Sequence, residues 1–337
     1  MNESRKTSLD ILTIIASFLV VLAHQAAQTD DRSIYIYRAI SEAAVPLFIM
    51  KSGALLLSGS RQIDYPYIRK RLAQFALIIV FWGLFYNLLC NTLIDGISIS
   101  AVWKSIAAVI TADVSYNYQF WYLYMLLGLY IISPAIKKFT DNANKKDFLY
   151  VIAIFTIIGF VIPFICGIYN IDSQSIWVVR WLSPFSAYWL LYYLLGTYLE
   201  RYPLGRRQNQ VMILSAVLLG VLTILACIGG GNFQGSLKVW LQYNSPFTLV
   251  YTVALFSLIQ RKCNSCGMSR ITGLAKYSLG VYVLHPVVIV AMRKILGIDA
   301  DTFLPVISVP LLTVIVYFIY VVATWIIKKI PVVRRVI

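Results

Sequence analysis

The sequence predicts an all-α integral membrane protein: a bundle of about ten transmembrane helices, both termini cytoplasmic, forming one polytopic domain over residues 1–337. Three observations carry this. Hydrophobic residues make up 60% of the chain and charged residues 13%, with mean hydropathy +0.76, whereas ordinary soluble domains carry ~25% charge. Apolar windows of about 20 residues, enough for a helix to cross ~30 Å of hydrocarbon, recur along the whole length and leave no room for a soluble domain. The basic residues alternate by side, which orients the bundle.

The windows run 9–28, 35–58, 72–93, 118–136, 147–168, 177–199, 210–230, 243–260, 273–295 and 304–327, with short connections. One set of ends and loops holds 21 of the 29 Lys and Arg, among them Arg69-Lys70-Arg71, Lys137-Lys138, Arg206-Arg207 and Lys328-Lys329. The opposite loops hold Arg32, Lys104 and Lys238 among seven aspartates. Basic loops stay in the cytoplasm, so the net charge of +15 reports orientation and gives no sign of a nucleic-acid partner. The first window is too long for a signal-peptide core and lacks a small-residue cleavage site, so it counts as a true span.

Polar residues within spans carry the functional information, because each is costly in hydrocarbon unless it meets a cavity or a partner. In span one, Asp10, Thr13, Ser17 and His24 share one helix face. A hydrogen-bonded seam between helices accounts for the threonine and serine but not for His24, one of only two histidines in the chain.

Span two contains Arg38, Glu42, Pro46 and Lys51-Ser52-Gly53. Glu42 should lie about 12 Å and His24 about 6 Å below the outer boundary. Glu42 then either orients His24 or pairs with Arg38, one turn away. Pro46 should bend the helix, Gly53 should allow close backbone approach, and Lys51 can snorkel toward the cytoplasm.

The cluster Arg69-Lys70-Arg71 suits phosphate, although loop orientation alone also predicts it. Residues 98–111 alternate like an amphipathic helix lying on the outer surface as a lid. Span six opens on Arg180, Trp181 and Ser183, where an arginine can snorkel. Gly229-Gly230-Gly231 ends span seven. Cys90, Cys166 and Cys227 fall in spans, and Cys263-Asn-Ser-Cys266 is half of a zinc site, so no metal centre is expected.

In span nine, Ser278, Tyr282 and His285 share a face and Pro286 follows the histidine. Proline frees a carbonyl in the preceding turn, so His285 serves either a substrate or its own backbone. The polar set as a whole permits an enzyme site or a transport path through the helices, and a third reading makes it helix glue within a partner of a glycan synthase.

Several of these segments come in the order of a known family. Leu9-Asp10 followed by His24, Pro46-Leu-Phe-Ile-Met-Lys51-Ser-Gly53, Arg69-Lys-Arg71, Phe120-Trp-Tyr-Leu-Tyr124 with Tyr130-Ile-Ile-Ser-Pro134, and Tyr277-Ser-Leu-Gly-Val-Tyr282-Val-Leu-His285 resemble the bacterial membrane acyltransferase-3 family. The build is similar to that of stand-alone O-acetyltransferases of the kind that modifies enterobacterial common antigen.

That resemblance implies a multi-pass protein of the bacterial inner membrane. It would move an acyl group, usually acetyl, from cytoplasmic acyl-CoA to a hydroxyl of a cell-surface or lipid-linked glycan. The partners are then the lipid bilayer, the donor and the hydroxyl acceptor; no cofactor is held permanently, and acetyl-CoA is a co-substrate. His24 matches the family's catalytic histidine, a suitable general base near neutral pH, with Glu42 as its expected partner. Asp10, Arg38, Lys51, Arg69, Arg71, Tyr282 and His285 are the candidate substrate- or donor-binding residues.

One position departs from the pattern. The family usually carries arginine eleven positions before the histidine, and this chain has Thr13 there. Either Arg5, Lys51 or Arg38 supplies the missing charge, or acyl transfer is lost. Transport of a small molecule or polysaccharide remains the alternative.

Overall fold

The computed structural model describes residues 7–59, 63–96, 98–113, 115, 117–176, 187–229, 239–263, 272–331 and 333–337. Arg5, Arg180, Trp181, Ser183, Gly230, Gly231, Lys238 and Cys266, named above, lie outside them. The described residues are helical and contain no strand.

The helices are α1 Thr7–Ala26, α2 Tyr35–Ser41, α3 Ala44–Leu56, α4 Tyr65–Asp95, α5 Ile99–Ile110, α6 Trp121–Asn142, α7 Lys145–Thr156, α8 Ile162–Ile168, α9 Ala187–Arg201, α10 Arg206–Gly229, α11 Pro246–Cys263, α12 Ser278–Ile295 and α13 Pro305–Ile327. Eight helical stretches among the described residues are long and apolar enough to cross a membrane. The other two windows hold α9, whose described part is 15 residues long, and α11, whose end carries Gln260-Arg261-Lys262.

Helix α1 is the hub, packing on α2, α3, α11, α12 and α13. Its face carries Ser17, whose hydroxyl lies 3.4 Å from that of Ser278 and 3.2 Å from that of Tyr317. This is the hydrogen-bonded seam expected of small polar residues in lipid.

The second span is a broken helix. Helix α2 ends at Ser41 and α3 begins at Ala44, with Glu42 and Ala43 in a turn. Pro46 lies in the first turn of α3, where its missing N–H breaks no established ladder, so the expected bend becomes an interruption.

Below it, α3 meets α9 backbone to backbone. A Cβ on Gly53 would overlap the Tyr193 carbonyl, and one on Gly196 would overlap the Met50 carbonyl. The end of α3 is then tied down. The Leu57 carbonyl accepts from Arg201 Nη2 at 2.8 Å and from Lys137 Nζ and Thr140 Oγ1 at 3.4 Å each, while Asp141 bridges Lys137 and Arg201 at 2.5 and 3.2 Å.

Residues 98–111 form the expected amphipathic helix, α5, with Ile99, Trp103 and Ile110 exposed and Ala101 and Ser105 buried. Helix α5 packs on α4, with Asn91 Nδ2 donating to Ser105 Oγ at 2.9 Å. Val109 lies against Gly83. Ser105 and Asn91 are buried, so this pairing hides polar groups that a flat surface helix would leave wet. The chain then enters α6 through a 3-10 turn, Tyr118–Phe120.

Proline-orphaned carbonyls recur and are recaptured. Pro163 follows a π turn over Ile157–Val161, and the Gly159 carbonyl it leaves free accepts from Asn244 Nδ2 at 3.4 Å. Pro310 frees the Val306 carbonyl, which accepts from the Tyr37 hydroxyl at 2.8 Å. In lipid, neighbouring side chains must do what water does elsewhere.

Replacing Gly53 or Gly196 by alanine should lower the unfolding free energy in nanodiscs by about 3 kcal/mol or more, since overpacking against side chains alone costs ~1–3. Gly128→Ala in α6, where an added Cβ meets nothing within 4 Å, should be neutral or slightly stabilising. Thermal unfolding of the three variants checks this.

Candidate active site

A cavity of 430 Å³ opens between α1, α3, α4, α6 and the start of α12. Its polar lining comes from Thr13, Lys51, Ser52, Tyr67, Arg71, Tyr130 and Ser278, and Tyr122 and Tyr282 also form part of its wall. Thr13, Lys51, Ser52, Tyr67, Arg71 and Ser278 lie toward the helix ends of the basic side, Tyr130 is midway along α6, and Tyr122 is at the opposite end of that helix. Arg71 is held in place there. Its Nε donates to the Tyr67 hydroxyl and its Nη1 to Gln74 Oε1, both at 3.2 Å, with the guanidinium 5.4 Å from the Tyr67 ring centroid.

The Thr13 hydroxyl donates to the Leu9 carbonyl at 2.7 Å, and that of Ser52 to the Phe48 carbonyl at 2.9 Å. Both oxygens keep a lone pair for a ligand. The cavity thus combines two cationic side chains with hydroxyls and rings, a setting for an anion with a long, weakly polar arm.

Tyr122 and Tyr282 stand edge to face, centroids 5.5 Å apart, and the Tyr282 hydroxyl donates to the Gln119 carbonyl. One turn farther along α12 is His285, fully buried, its ring centroid 6.2 Å from that of Tyr282. His285 Nδ1 lies 2.7 Å from the Tyr282 carbonyl, the one Pro286 leaves without its helical donor. The His285 carbonyl accepts from the Tyr320 hydroxyl, and the Val283 carbonyl from the Tyr86 hydroxyl at 2.6 Å.

His24 stacks on this ring, with centroids 4.5 Å apart and planes 24° apart, and its ring lies 5.1 Å from that of Tyr118. The two histidines of the chain, 261 residues apart in sequence, therefore form one pair.

A family model described as an acyltransferase domain matches residues 6–329. The chain belongs to the acyltransferase-3 family. It is a membrane acyltransferase, with the apolar helices of a multi-pass protein. No curated protein and no solved structure matches it.

The expected site residues of this acyltransferase fall into separate groups. Lys51, Arg71 and Tyr282 share the cavity with Thr13, and His24 joins His285 just beyond. The expected pairing of Glu42 with His24 is not what the structure shows: no ion pair joins them among the described residues, and the ring that His24 meets is that of His285. Glu42 lies in the turn between α2 and α3 that breaks the second span.

Arg38 caps α1, donating from Nε to the Ala26 carbonyl at 3.2 Å and from Nη2 to the Thr29 carbonyl at 2.6 Å. A cation at a helix C-terminus meets both its open carbonyls and its dipole. Asp10 is buried in the first turn of α1 and Arg69 is exposed; neither lines the cavity. Sequence reasoning did not single out Tyr67, Tyr118 and Tyr130 as site residues, because 23 tyrosines supply both membrane belts and sites.

Tyr282→Phe keeps the ring but leaves the Gln119 carbonyl without its donor, and should lower stability by about 1–3 kcal/mol. Urea or thermal unfolding against wild type in the same nanodisc checks this.

Proposed function

We propose that the protein is an O-acetyltransferase of the bacterial inner membrane, moving acetyl from cytoplasmic acetyl-CoA to a hydroxyl of a cell-surface or lipid-linked glycan. The observation that carries this reading is the adjacency of a cavity with Lys51 and Arg71 in its wall to a stacked histidine pair one helical turn past its tyrosine boundary. Lys51 and Arg71 meet the donor's phosphates as charge-assisted donors, and the thioester arm extends toward Tyr122 and Tyr282.

His24 is the general base. The acceptor oxygen forms its bond to the thioester carbonyl carbon while its proton passes to the imidazole. The C–S bond then breaks, and the departing thiolate takes up a proton to leave as the thiol. Oxygen nucleophiles of sugars are weak, so a positioned base contributes ~10²–10⁴-fold.

Lys51 is the substitute for the arginine that the family pattern expects at Thr13, since the two positions line one cavity while Arg38 is engaged at the end of α1. The depth of His24 is then no obstacle, because Thr13 and His24 are separated by about 16 Å along one helix, a span that a cavity and a donor arm cover together.

His24→Ala should reduce acetyl transfer by ~10²–10⁴-fold with folding intact. Lys51→Met and Arg71→Met should each raise the KM for acetyl-CoA about tenfold or more, and Arg69→Met by less than about twofold. Purified protein in nanodiscs with acetyl-CoA measures all four. Wild type that binds no acetyl-CoA, together with unchanged surface-glycan acetylation in His24→Ala cells, would sink the proposal.

A further inference from the structure

The histidine pair contains more than one base requires. A carbonyl oxygen only accepts hydrogen bonds, so the 2.7 Å contact from His285 Nδ1 to the Tyr282 carbonyl demands a proton on Nδ1. The other neutral tautomer would set two lone pairs against each other, and the doubly protonated ring would bury a second N–H with nothing to receive it.

Pro286 builds this lock by withholding the backbone N–H that would otherwise claim the carbonyl. The backbone around it is held by Tyr86 on the Val283 carbonyl and Tyr320 on the His285 carbonyl. The remaining nitrogen, Nε2, is therefore a bare acceptor, fully buried and without a hydrogen-bond partner among the described residues. Such an orphan costs roughly 1–3 kcal/mol unless something donates to it.

Building on the acyl-transfer reading, we propose that His285 Nε2 accepts a hydrogen bond from a second hydroxyl of the acceptor, so that the stacked histidines select substrates bearing neighbouring hydroxyl groups. A single hydroxyl has one proton, and His24 takes the one on the reacting oxygen. Two stacked imidazolium ions 4.5 Å apart would repel each other, which suits His285 to hold a hydroxyl without taking its proton. A site built to receive an O–H discriminates strongly against analogues that lack it.

The full-length protein, labelled with ¹⁵N-histidine in nanodiscs, has only two imidazoles to assign, and His24→Ala separates them. His285 should show Nδ1 protonated and Nε2 bare. Methyl β-glucopyranoside should move the Nε2 resonance toward the hydrogen-bonded range, and cyclohexanol, with one hydroxyl, should not. A proton on Nε2, or a response to both probes or to neither, overturns the proposal.

Activity gives a second arm. His285→Gln should lower acetyl transfer to the glycoside about tenfold or more relative to acetyl-CoA hydrolysis, which involves no second hydroxyl. Equal losses in transfer and hydrolysis, or no loss in either, overturn it too. Wild type that neither transfers nor hydrolyses acetyl would bring down the acyl-transfer reading, whereas the labelled-histidine titration would still decide whether Nε2 receives a hydroxyl.

Discussion

The bundle turns on the place where α3 and α9 touch without side chains between them. Gly53 lies under the Tyr193 carbonyl and Gly196 under the Met50 carbonyl, so the two backbones approach as closely as peptide groups permit. In lipid there is little hydrophobic drive between helices, and close packing of small residues supplies association instead. Three donors on the Leu57 carbonyl, from Arg201, Lys137 and Thr140, then fix where α3 stops. That contact sets the angle at which Lys51 and Ser52, immediately before Gly53, present themselves to the cavity.

A second constraint runs through the same helices: a backbone carbonyl in hydrocarbon needs a donor. Proline removes one, and the structure replaces it with a side chain from nearby or from another helix. Asn244 serves Pro163's orphan and Tyr37 serves that of Pro310. His285 serves the one made by Pro286. The first two repairs use side chains that are only half-buried. The third uses only one of two ring nitrogens, and the surplus nitrogen is buried next to the other histidine. Repair of a helix and construction of a site are here the same event.

Much of the candidate site was legible because lipid makes polar residues conspicuous. His24, His285, Lys51 and Tyr282 stand out in apolar runs, and the face shared by Ser278, Tyr282 and His285 follows from helical spacing alone. Gly53 was legible as a close approach, though not its partner Gly196. The contacts of Glu42, Arg38 and the inner face of α5 were not legible in the same way. Arg38 reads as a buried charge in search of a substrate until the end of α1 is seen beside it, with the Ala26 and Thr29 carbonyls open to it. Residues 98–111 read correctly as an amphipathic helix, but that its inner face docks on α4 through Asn91 and Ser105 shows only in the tertiary structure.

By itself the sequence determined the class of the protein, the positions of its helices and the family to which it belongs, since these depend on hydrophobic length, on loop charge and on motifs contiguous in the chain. Only the tertiary structure decided which polar groups meet. His24 and Glu42, on consecutive spans, were candidates to pair, yet no ion pair joins them among the described residues, and the stacking partner of His24 came from the far end of the chain. Rotation and depth of each helix are set by packing against the others, at contacts such as Gly53 and Gly196, and periodicity within one helix carries no information about them.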